Sequence, residues 1–144
     1  MLLLSAGALV LSRGTGPVAV PVPTVTAGVA AACARVVSLL PDRLVGAPRR
    51  ATTPPSGLTR AWDTRPVQVL RCGTGRGAAD LLPADYEYDV DGVAWFREVQ
   101  LAPARDGLRR WTTRVGPGLE IRVPDGGERD LINAGTDALR GLRR

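Results

Sequence analysis

Apolar residues recur along this chain in two rhythms, and the switch between them marks out its elements. Over residues 26–40 the period is helical: Val29, Cys33, Val36, Val37 and Leu40 fall on one face. Thr24 or Thr26 can cap the start, and Pro41 ends the run. Residues 42–57 carry Arg49, Arg50, Pro54 and Pro55 without a period and read as a Pro-rich connector. From residue 65 the period falls to two. Residues 65–72 read as a strand that opens at Pro66 and turns Leu70 and Cys72 to one face.

Two hairpins follow. Residues 86–90 and 93–99 flank Asp91-Gly92, a strong two-residue turn signal. Residues 111–115 and 119–123 flank Gly116-Pro117-Gly118, and in the second of these Leu119, Ile121 and Val123 alternate with Glu120 and Arg122. A last helix is expected over residues 128–142. Leu131, Ile132, Ala138, Leu139 and Leu142 form its apolar face, with arginines near its end to suit the macrodipole. Helix, antiparallel strands and helix predict an α+β fold. The expected form is a two-layer sandwich: an antiparallel sheet of about four to five strands with an N-terminal and a C-terminal helix.

The N-terminus behaves differently. Residues 1–11 form an apolar run with the length of a signal-peptide core, too short for a bilayer span of about 20 residues. No positive residue precedes it and Arg13 follows it. We expect residues 1–13 to be a truncated signal or membrane-anchor segment whose true start lies upstream. The alternative is the N-terminal segment of a cytosolic protein. Residues 14–24 alternate Val18, Val20 and Val22 with Pro17, Pro21 and Pro23 and read as an extended linker. Residues 25–144 are then a single domain, of a length that fits one core.

Composition narrows the chemistry. Aromatic residues are 4% of the 144-residue chain, so Val, Leu, Ala and Ile must build most of the core. The formal charge is +5, and all 19 basic residues are Arg. An Arg-rich surface can meet anionic lipid, but Arg, Ala and Gly excess is also what a GC-rich genome writes. The doublets Arg49-Arg50, Arg109-Arg110 and Arg143-Arg144 are scattered, without the clustering and aromatic support of a nucleic-acid site. The absence of His and Lys removes Ser-His-Asp, Cys-His, Ser-Lys and Schiff-base chemistry.

Three constellations remain. Cys33 and Cys72 are the only cysteines, with no CxxC and no His to complete a zinc site. If the first helix packs on the strand face that carries Leu70 and Cys72, the two can meet. A disulfide there closes a loop of about 40 residues, worth roughly 4 kcal/mol in the chain-entropy model, and belongs outside the cytoplasm. Glu87, Asp89, Asp91, Gly92 and Glu98 follow an EF-hand spacing except for Glu at the first position. Their flanks are strand-like, so an acidic hairpin is the preferred reading and a metal site the lesser one. Gly73, Gly75, Arg76 and Gly77 form a glycine-rich turn after a strand that can offer amides to an anion. It matches neither dinucleotide nor Walker spacing. Trp62, Trp95 and Trp111 lie on separate elements, and packing is their expected role, with a sugar platform the lesser reading.

Several of these pieces together resemble a known pattern. A Cys-bearing helix ending in Leu40-Pro41 is followed by Pro48-Arg49-Arg50 and Ala61-Trp62-Asp63. Then come Arg71-Cys72-Gly73 and Asp91-Gly92-Val93 with Trp95. The set is similar to the actinobacterial domain-of-unknown-function family 3515, from about Ala30 to the C-terminus. The resemblance implies a small secreted or membrane-anchored protein with a disulfide, and no catalytic residue to carry over. The expectation is therefore a non-enzymatic, extracytoplasmic accessory or binding module of the cell envelope. It is expected to be monomeric and free of cofactor, with a membrane surface or envelope protein as partner. The alternatives are a small-ligand or calcium-binding protein using the acidic hairpin, and a carboxylate-dependent enzyme.

Overall fold

The computed structural model describes residues 16–74, 83–100 and 105–144. Helix α1 spans Ala27–Ser38, and Thr26 caps it by accepting from the Val29 N–H at 3.3 Å. Its buried face carries Cys33, Val36 and Val37. Helix α2 spans Arg129–Gly141 and buries Leu131, Ile132, Ala138 and Leu139.

Between the helices runs a set of strands. They are β1 (Val18–Ala19), β2 (Arg43–Leu44), β3 (Ala47–Arg50), β4 (Thr52–Thr53), β5 (Thr59–Trp62), β6 (Gln68–Cys72), β7 (Ala84–Val90), β8 (Val93–Glu98), β9 (Leu108–Thr113) and β10 (Leu119–Pro124). The main sheet has the order β2-β3-β5-β6-β10-β9-β8-β7 and pairs antiparallel throughout. Strands β1 and β4 form a separate two-stranded parallel ladder. The fold is α+β.

The sheet holds eight strands where the sequence predicts four or five. The excess comes largely from residues 42–57, expected as a connector. Strands of two to four residues are too short to show a period. Pro48 fits β3 because its carbonyl accepts from the Asp63 N–H at 2.8 Å and its missing donor is not called on there. Strand β5 was hidden for another reason: all four of its residues are buried, so it does not alternate.

Both helices cover the same face of the sheet. Cys33, Val36, Leu70, Trp62, Trp95, Trp111, Ile121, Leu131 and Ile132 meet in one buried cluster between the layers. Two of the three indole rings are tied as well as packed. The Trp95 Nε1–H donates to Thr136 Oγ1 at 3.0 Å, and the Trp62 Nε1–H donates to the Pro41 carbonyl at 3.1 Å. Arg60 is also buried on this side and donates to the Val37 carbonyl at 3.2 Å, near the C-terminal end of α1, where a cation suits the helix dipole. Burial holds its guanidinium below the usual arginine range, helped by nearby Arg49 and opposed by Asp42. The disulfide Cys33–Cys72 joins α1 to β6 across 39 residues, with a Cα–Cα distance of 5.6 Å and both residues fully buried. Among the described residues no helix is long and apolar enough to cross a membrane.

Candidate functional site

The other face of the sheet carries the polar half of each alternation. Register places Arg71 opposite Glu120, Glu120 opposite Thr112, and Arg122 opposite both Val69 and Arg110. The N-terminal segment lies over part of this face as a strap. The Val18 and Val20 N–H groups donate to the Ala51 and Thr53 carbonyls at 2.8 and 3.1 Å. Val20 is buried in a small second cluster with Ala61 and Val69. Because Pro17, Pro21 and Pro23 have no N–H, side chains hold the strap by its carbonyls. Arg50 Nε donates to the Gly16 carbonyl and Arg71 Nε to the Pro21 carbonyl, each at 2.8 Å.

Between the strap and the β9 end of the sheet lies a cleft of about 360 Å³. This is at the lower end of the roughly 300–1,000 Å³ typical of small-molecule sites. Val18, Val20, Val67, Val69 and Leu108 supply its apolar walls, and Arg71, Arg110, Glu120, Arg122 and Asp106 supply its charge. Glu120 is buried on the central strand and receives Arg71 Nη1 at 2.9 Å, with Arg110 Nη1 at 3.9 Å on its other oxygen. Arg110 binds Glu98 in a two-pronged pair through Nε and Nη2. That pairing raises the Arg110 pKa, against a smaller opposing effect of burial. A charged ladder on a covered sheet face is costly unless each member is partnered, and these four are.

The residues predicted from sequence fall elsewhere. Cys33 and Cys72 lie in the core between the layers, away from the cleft lining. Gly73 has φ +98°, and a Cβ there would come 2.5 Å from Val25 Cγ1, so only glycine fits. Its N–H donates to the Gly118 carbonyl at 2.8 Å and is used by the fold. Gly75, Arg76 and Gly77, like the segment 1–13, lie outside the described residues. The acidic positions are strung along the β7–β8 hairpin rather than gathered in a loop. Asp89 Oδ1 accepts from the Gly92 N–H at 3.2 Å, Asp91 pairs with Arg140 at 3.3 Å, and Glu98 is held by Arg110. Glu87 is exposed on β7. Among the described residues no group of three acids or cysteines is placed to hold a metal ion.

Sequence reasoning missed the ladder. Its one visible signal was the alternation around Glu120 and Arg122, which reads as an ordinary solvent face until the strap is in place. A second, smaller hollow of about 190 Å³ lies on the helix side at the sheet edge, between Tyr86, Tyr88, Arg97 and Trp111. Asp85 pins Arg97 at 2.8 Å and Arg109 at 3.1 Å there. The hydrogen bond from Arg97 is the main cause that draws the Asp85 carboxyl below its usual range.

No curated protein and no solved structure matches this chain. A family model described as "protein of unknown function (DUF3515)" matches residues 1–143, nearly the whole sequence. The chain belongs to the DUF3515 family.

Proposed function

We propose that this protein is an extracytoplasmic accessory or binding module of the cell envelope, tethered through its N-terminal segment and without catalytic activity of its own. The observation that carries the reading is the buried disulfide between α1 and β6. Stable structural disulfides belong to oxidising compartments, and the glutathione and thioredoxin pools of the cytosol work against them. The apolar run at residues 1–11 agrees with export, and the all-arginine basic set agrees with a GC-rich actinobacterial host. The open-face cleft supports a binding role, because its charged groups are paired with one another rather than left as a reactive acid and base.

The test is the thiol state of the protein taken from its native host. Cells are quenched in acid, and the denatured protein is treated with a maleimide mass tag with and without prior reduction. Tagging of Cys33 and Cys72 only after reduction supports the reading. Tagging without reduction overturns it.

A further inference from the structure

We infer that the open-face cleft takes an amphipathic anion: one carboxylate or phosphate-monoester head on Arg122, with a short apolar tail between the strap and β6. This rests on the reading of the chain as a binding module and names its ligand class. The argument begins with how the cleft's charges are spent. Arg71 commits Nε to the Pro21 carbonyl and Nη1 to Glu120. Arg110 commits Nε and Nη2 to Glu98. Arg122 differs. Its only partner among the described residues is Asp106, at 3.6 Å, with side chains 44% and 48% exposed. That distance is an ion pair without a hydrogen bond. Asp106 is otherwise engaged, since its Oδ1 accepts from the Leu108 N–H at 3.0 Å.

Arg122 therefore stands at the cleft with a planar set of donors and one loose, solvated counter-charge. A carboxylate or phosphate can take those donors in the two-pronged geometry that suits guanidinium. A cationic ligand has a poorer seat, because of the two acids in the lining Glu120 is held by Arg71 and Asp106 already accepts from the Leu108 N–H. A wholly apolar ligand would strip water from Arg122 and return nothing. The walls ask for carbon. Val18, Val20, Val67, Val69 and Leu108 line the cavity beside the charged end, and two of them come from the strap. Ligand and strap thus share one apolar seam.

The test uses the oxidised full chain and three probes with the same tail: octanoate, octyl phosphate and octyl glucoside. Titration is followed by calorimetry and by backbone amide shifts. The expected result is saturable binding of at least one anion, with shifts on residues 18–20 and 67–71. The glucoside should bind at least about tenfold more weakly, the usual size of a lost charge-assisted contact. Arg122→Gln should weaken the anion by a similar factor. Arg114→Gln, an exposed arginine over Phe96 and outside the cleft lining, should not. Octanoate against octyl phosphate reads which head is preferred. Equal affinity for the glucoside, an unaffected Arg122→Gln, or no response to any probe would overturn the ligand class. The thiol assay separates the two failures. Oxidised cysteines with no anion binding reject the ligand and leave the compartment standing, whereas free thiols reject the compartment whatever binds.

Discussion

Trp95 carries more of this fold than its size alone suggests. Its ring is fully buried under α2, where a Cβ at Gly135 would stand only 3.1 Å from the ring, and its indole N–H has one buried acceptor, Thr136 Oγ1. The near-isosteric Thr136→Val keeps the volume and removes the acceptor. The stranded indole N–H should cost about 1–3 kcal/mol. Urea denaturation measures it, and an unchanged midpoint would mean that the contact contributes nothing net. The three tryptophans were legible as core residues because so few other large rings exist to fill the space. What the sequence did not show was the acceptor of the Trp62 and Trp95 N–H groups. Thr136 lies 41 residues from Trp95, and a single threonine on a helix carries no mark of what it faces.

At the level of elements, the staple between α1 and β6 invites the plainest measurement. Helical phase puts Cys33 inward and strand phase puts Cys72 beside Leu70, which is why the pairing could be read from spacing. Cys33→Ala and Cys72→Ala should each lose about 4 kcal/mol, or roughly 13 °C in Tm, and the double variant should lose no more. Additive losses would show that the two sites act separately. Strand β7 is pinned differently, by Asp85 reaching Arg97 and Arg109. Its carboxyl titrates below the usual range in the folded state, chiefly through the Arg97 hydrogen bond. A depressed folded pKa gives stability that is complete above the ordinary aspartate value and lost as pH falls through the folded one. Tm of the wild type and of Asp85→Asn should therefore differ at neutral pH and converge in acid. A constant gap would assign the effect to packing. The short strands β2, β3 and β4 were the least legible elements. Two to four residues cannot display a rhythm; β2 is placed by its tight hairpin with β3, and β3 and β4 by β5 and β1, which lie farther off in sequence.

The whole molecule is a sheet covered unequally: two helices on one side, a strap and a charged ladder on the other. An alternation of Pro and Val is what an extended linker and an extended strap have in common, so the open-face cleft could not be read before the chain was folded. Val20 is the strap's buried contact. Val20→Asp should release residues 16–24 to limited thermolysin digestion while leaving the disulfide-stapled core resistant. Uniform loss of resistance would mean that strap and core unfold together. The staple also fixes how far the protein can be drawn out. When the chain is pulled from its two ends, the segment between the joined cysteines, a sequence separation of 39, cannot be drawn out. At up to about 3.5 Å per extended residue, roughly 130 Å of contour stays locked in a covalent loop. Under load the chain therefore has a bounded reach for as long as the disulfide stays oxidised.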